Sequence, residues 1–200
     1  MPKNQTLDEF YSTFREEVLC ASDTETSGWT TEDFLTNVMM EYLEEAGEVT
    51  DPVICPFRGY GLQMNAYAIS EDCESVDIFV SIYSDSDRPR SVSQADIDAA
   101  IKRAIQLYHK AINDLYTAFQ KDNDTYEFAI TLHQNKDNIK HVRICALTNG
   151  LVKPIALKNI TIGDAEISFS LWDVDRLYRC VTSGKMRETI EIDFEEKFQT

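Results

Sequence analysis

The chain has 200 residues, ordinary hydrophobic (43%) and charged (27%) fractions, few glycines and prolines (7 and 5), and a net charge of -16. That length suits one domain with a substantial core, and the composition excludes disorder and turn-rich repeats. No apolar run reaches the roughly eighteen residues of a membrane span, and the N-terminus is polar within a few positions of Met1, so a cytoplasmic protein is expected.

Charge placement says more than charge size. Residues 1–100 hold 5 Lys/Arg against 21 Asp/Glu, whereas residues 101–200 hold 14 against 14. The first half carries the whole excess. Such a surface repels phosphate backbones at long range, so nucleic acid is not an expected partner of this segment alone. The five cysteines are widely spaced without a Cys-x-x-Cys pair, and the three histidines form no His-Glu-x-x-His. Buried thiols in a reducing compartment are the plain reading, and no cofactor is expected.

In chain order, Thr6 with Glu9 caps a first helix whose stripe is Phe10, Phe14, Val18 and Leu19, and the polar stretch from Ala21 to Gly28 ends it. Thr30 and Asp33 have capping-box spacing for a second helix, with Trp29 and Phe34 placed as a hydrophobic staple. Phe34, Val38, Tyr42 or Leu43, and Ala46 make its buried stripe, and Gly47 stops it. Glu41, Glu44, Glu45 and Glu48 share its other face, where like charges at these spacings cost about 0.2 to 0.5 kcal/mol per pair. A solvated acidic face is the plain reading; a basic partner or a cation would relieve the repulsion.

Val53 to Tyr60 reads as an edge strand interrupted by Pro56. A hairpin at 62–83 follows. Leu62, Met64, Ala66 and Ala68 alternate with polar or bulky residues, as do Val76, Ile78, Val80 and Ile82, about a turn at Ser70 to Ser75. These rows should face the core, with Asn65, Ser81 and Tyr83 on the opposite face. Ser93 and Asp96 open a long helix whose stripe runs from Ile97 to Phe119. Alternation in Tyr126 to His133 allows a strand, but Phe128, Ala129 and Leu132 also fit a short helix, the favoured reading. Val142 to Leu147 is a buried central strand ending at an Asn149-Gly150 turn. Shorter strands are expected at Lys153 to Leu157 and Glu166 to Ser170, then a helix capped by Asp173 that stops at Gly184, and a final strand at Ile190 to Phe194. The result is an α/β (α+β) domain spanning 1–200, a mixed central sheet flanked by helices.

Leu171-Trp172-Asp173-Val174-Asp175-Arg176-Leu177-Tyr178-Arg179 followed by Ile190-Glu191-Ile192-Asp193-Phe194 resembles the N-terminal domain of the AIPR (abortive infection phage resistance) proteins. So do Asn65-Ala66-Tyr67-Ala68, Asp77 to Tyr83, Glu44-Glu45-Ala46-Gly47-Glu48 and Thr148-Asn149-Gly150, in the same order. The resemblance implies a bacterial antiphage defence protein, normally longer than this chain, and supplies no catalytic set to transfer.

The element order also resembles a restriction-endonuclease-like core. In that family a helical Glu, an Asp near the second strand and a Glu-x-Lys on the next hold a divalent metal and orient the attacking water. Glu45 or Glu48 is the candidate helical acid and metal ligand here. Asn65 stands near the Asp position and Ser81-Ile82-Tyr83 at the Glu-x-Lys position, and no lysine lies between Lys3 and Lys102. An amide, a hydroxyl and a phenol supply little charge for Mg²⁺. Two functions are therefore weighed: a non-catalytic regulatory or interaction module that holds a basic protein surface or a C-terminal region of its own protein, and a Mg-dependent nuclease. Asp173-x-Asp175-Arg176 is read as a helix cap with Arg176 pairing locally.

Overall fold

The computed structural model describes residues 6–24, 28–155 and 157–184. Helices α1 (Leu7–Thr24) and α2 (Thr31–Glu45) lead into strands β1 (Val53–Gly59), β2 (Leu62–Ile69) and β3 (Ser75–Ile82). Helix α3 (Gln94–Ala111), a 3₁₀ turn (Leu115–Ala118) and α4 (Asp124–Asn135) come next, then β4 (His141–Thr148), β5 (Ile160–Ile162), β6 (Ala165–Trp172) and α5 (Val174–Gly184). The six strands form one mixed sheet in the order β1-β2-β3-β4-β6-β5. β4 is parallel to both neighbours, and the remaining pairs are antiparallel. Hence β1, β3, β4 and β6 all finish at one end of the sheet.

Each face of the sheet buries its own core, giving three layers. One holds Ile78, Val80, Ile144 and Ile167 under α3 and α4, and the other holds Phe79, Cys145 and Leu147 under α1, α2 and α5. The strands of the parallel centre are therefore apolar on both sides, which is why Val142 to Leu147 reads as a continuous run.

The local signals act as their spacing predicts. Glu9 donates its backbone N–H to Thr6 Oγ1 at 3.3 Å and returns a carboxylate to the Thr6 N–H at 2.9 Å. Thr30 and Asp33 close the capping box on α2, and the Trp29 and Phe34 rings lie 5.5 Å apart as the staple. Asp173 accepts from the Arg176 and Val152 N–H groups at 2.8 and 2.9 Å, and Arg176 donates to Leu171 O and stacks on Trp172. Pro56 sits on the edge strand where the β1–β2 register shifts, between Ile54 and Phe57.

Four expectations need correction. α1 continues past Ala21 to Thr24. The long helix ends at Ala111 instead of Phe119, because the Asn113 amide donates to His109 O and three residues of turn follow before the 3₁₀ segment. In Lys153 to Leu157 the described residues are in no strand; Pro154 lacks a ladder donor, and Ile155 and Leu157 pack on the sheet from outside it. β5 forms instead at Ile160–Ile162, next to the left-handed Gly163. Finally, Leu62, Met64, Ala66 and Ala68 are not one row: the first two enter the α3-side core and the last two the α2-side core. The strand changes parity at Asn65, opposite the register shift in β1. The expected strand at Ile190 to Phe194 lies outside the described residues.

Candidate functional site

The parity change puts a polar residue where a ladder bond would be. Asn65 is 3% exposed, and its side-chain carbonyl accepts from the Ser81 N–H at 2.9 Å, in place of a backbone partner. Its amide donates to Asp33 Oδ1 at 3.0 Å, tying β2 to the first turn of α2. Asp33 Oδ2 meanwhile accepts from the Thr30 N–H and hydroxyl, both at 2.8 Å. One carboxylate thus caps the helix and anchors the strand.

Gln63, fully buried, extends the network. Its amide nitrogen lies 3.2 to 3.3 Å from Glu32 Oε1, Asn65 Oδ1 and Ser81 O, and its carbonyl accepts from Arg103 Nε at 2.9 Å. Arg58 Nη2 donates to the same Glu32 oxygen at 2.7 Å. Ser81 Oγ and Thr36 Oγ1 are 2.7 Å apart. Buried polar groups left without partners would cost about 1 to 3 kcal/mol each. Here they satisfy one another.

These groups border a cleft of about 550 Å³ whose walls include Thr30, Thr31, Phe57, Arg58 and Tyr83. Glu32 carries the electrostatic stress. Burial raises its carboxyl above the usual range, against the Arg58 guanidinium, the Tyr83 backbone N–H and the Asn65 amide, which favour the charged form. Burial and the Asp85 carboxylate raise the Tyr83 phenol, opposed by Arg15. It is therefore neutral at physiological pH.

Of the candidate residues, Asn65, Ser81 and Tyr83 come together at this cleft or its floor, but Glu45 and Glu48 do not. They stand at the opposite end of α2, about 18 Å along the helix from Asp33, beside Arg143, which donates to Glu48 O and pairs with Asp77. Glu41, Glu44, Glu45 and Glu48 are exposed, and α1 adds Glu17, which accepts from the Tyr42 hydroxyl at 2.8 Å. The acids that do reach the cleft are Glu32 and Asp33. Their visible signal in the sequence was the capping box itself, which accounts for Asp33 without reference to a site.

The donor set does not fit Mg²⁺, which asks for several anionic or carbonyl oxygens in near-octahedral array. Both carboxylates already accept from protein N–H and O–H groups, a guanidinium stands against Glu32, and Asn65 and Ser81 are neutral. Among the described residues no group of three or more His, Cys, Asp or Glu is placed to hold a metal ion. The two buried thiols are equally unsuited to nucleophilic work: burial pushes Cys55 up to about 11 and Cys145 up to about 12.

A family model described as "Abortive infection phage resistance protein N-terminal domain" matches residues 35–179. The match starts in the first turns of α2, just past Glu32 and Asp33, and ends in α5. The comparisons with curated proteins and with solved structures gave no match.

Proposed function

We propose, from the premise that this chain belongs to the abortive infection phage resistance protein N-terminal domain family, that it acts as a non-catalytic regulatory or interaction module on a nuclease-like scaffold. Membership makes it part of a phage-resistance protein. What the module does there is our reading.

The observation that carries it is the closed network at the cleft. A site that cuts phosphodiesters needs free oxygen ligands for a metal and a cation near the scissile phosphate. This one commits its two acids to Thr30, Asn65, Gln63 and Arg58 and has a phenol where a lysine would serve. The partner we propose is a basic protein surface, with a C-terminal region of the same protein as first candidate. It would dock on the acids of α1 and the last turns of α2, where Glu17, Glu41 and Glu45 crowd the Tyr42 hydroxyl.

The order α2-β1-β2-β3-α3-β4, with β4 parallel to β3, supports a restriction-endonuclease-like scaffold and keeps a Mg-dependent nuclease as the alternative. The test is direct. The purified chain with Mg²⁺ or Mn²⁺ should leave plasmid, single-stranded DNA and RNA intact, and Glu45→Ala with Glu48→Ala should weaken capture of the basic region only. Metal-dependent cleavage that vanishes in Glu32→Gln or Asp33→Asn would establish the nuclease instead.

A further inference from the structure

The few cations of the first half are not scattered. Arg15, Arg58, Arg88 and Arg90 are four of its five Lys/Arg, the fifth being Lys3 outside the described residues. All four lie where the parallel strands finish. Arg58 is the penultimate residue of β1 and lines the cleft, with its side chain 61% exposed. Arg15 reaches Asp85, just beyond β3, at 3.4 Å. Arg88 and Arg90 are exposed on the loop after β3. From α3, Arg103 joins them through Gln63.

That loop is held firmly. The Tyr11 hydroxyl donates to Ser86 O, Asn149 brackets the backbone of Ser84 through both ends of its amide, and Leu151 bonds the backbones of Arg90 and Val92. The two arginines are therefore presented from a fixed backbone, which lowers the entropy lost on binding. Acids stand among them: Asp85 faces Arg15, Asp87 is exposed just before Arg88, Asp96 and Asp98 are exposed at the start of α3, and Glu32 and Asp33 are turned into the network.

We infer that this end of the sheet binds single-stranded nucleic acid without cleaving it. Guanidinium groups suit phosphate through paired N–H donors, and every cation in this set is an arginine. The cleft beside Arg58 is lined by Phe57, whose ring packs edge-on against Phe119, and by Tyr83; a base can stack on such rings, whereas a duplex keeps its bases stacked inside. The net charge of -16 opposes approach from a distance. Repulsion from the far end of α2 is screened within about 8 Å at physiological salt, so the local patch decides at contact. Binding should be weak and steeply salt-dependent. If Arg88 and Arg90 each neutralise one phosphate, the logarithm of affinity falls against the logarithm of salt with a slope of about -1.4.

The inference goes beyond the docking reading, which concerns the other end of α2, and either can fail alone. The experiment is fluorescence anisotropy of the full chain with a labelled oligothymidine of about 12 nucleotides, in salt stepped from about 50 to 200 mM. Expected are saturable binding at low salt, a loss of about tenfold or more in Arg88→Glu/Arg90→Glu with unchanged thermal unfolding, weaker binding of the matching duplex, and intact oligonucleotide on a gel. Polyglutamate competing as well as the oligonucleotide would overturn the inference, as would no binding at the lowest salt or the same affinity in the arginine variant. Cleavage of the oligonucleotide would refute the non-catalytic reading and leave the binding inference standing.

Discussion

Asn65→Asp places a third carboxylate beside Glu32 and Asp33 at the cleft, and its cost can be worked from the geometry. The Asn65 amide nitrogen lies 3.0 Å from Asp33 Oδ1, in a site that is 3% exposed. Replacing that donor by an anionic oxygen turns attraction into repulsion, worth about 5.5 kcal/mol at that distance with an effective dielectric of 20. The new carboxyl can avoid it by binding a proton and donating as the amide did. Holding a proton at pH 8 on a group that ordinarily ionises near pH 3.9 costs about 1.4 kcal/mol per pH unit, again about 5.5 kcal/mol. The two bounds agree. Allowing for relaxation, the variant should lose about 3 to 5 kcal/mol at pH 8, a fall in Tm of about 10 °C. The folded state of the variant binds the extra proton, so the deficit should shrink as pH falls toward 5. Thermal unfolding of both proteins from pH 5 to 8 reads this directly. Mn²⁺ should restore part of the loss in the variant, where three carboxylates meet, and none in the native chain. A deficit below about 1 kcal/mol at pH 8, or one that does not change with pH, would refute the network as described.

Three further outcomes follow from other parts of the fold. Gly150→Ala would set a Cβ 2.5 Å from Val92 Cγ2 and 2.6 Å from Arg90 O; the carbonyl cannot yield easily, so about 1 to 3 kcal/mol should be lost in denaturant unfolding, with Val92→Ala rescuing only part. Tyr60 is 97% exposed with φ 55° ahead of Gly61, so Tyr60→Asn loses no packing and should stabilise the hairpin by about 0.5 to 1 kcal/mol in the same assay. Glu32 is raised chiefly by burial, so its stability contribution is greatest at acid pH and is lost as pH rises through its folded pKa. In pH-dependent unfolding, Glu32→Gln should therefore gain on the native chain from acid to neutral pH.

The helix caps, the central strand and the edge strand were legible because each is fixed by neighbours in sequence. Thr30 with Asp33, and Asp173 with Arg176, satisfy backbone groups three residues away, and no tertiary fact alters that. The end of α3 was hidden because Leu115 stays buried after the helix stops, so the apolar spacing continues through a turn. The cleft was hidden for a different reason. Period-two reading assigns a face to each residue of β2, and a strand that changes parity at Asn65 breaks that assignment through a bond to Ser81 that only the folded register provides. Glu45 and Glu48 drew attention as a cluster of acids, yet clustering marks an exposed helix end here, whereas Glu32 and Asp33 reach the cleft from the first turn of α2.

Counting charges by halves of the chain also conceals how they are separated in space. The first half supplies both the arginines around the ends of β1 and β3 and the glutamates at the far end of α2; Arg58 pairs with Glu32 in the first turn of α2, and Glu45 lies about 18 Å along the helix from Asp33. Sites more than about 10 Å apart with no shared partner perturb one another little, and the salt of the cell screens what coupling remains. Combining Arg88→Glu/Arg90→Glu with Glu45→Ala/Glu48→Ala should therefore give additive effects: the first pair alone weakens the oligonucleotide, the second alone weakens the basic partner. If the glutamate pair instead alters oligonucleotide affinity as much as the arginine pair does, net charge governs binding, and the two ends of the molecule are not separate surfaces.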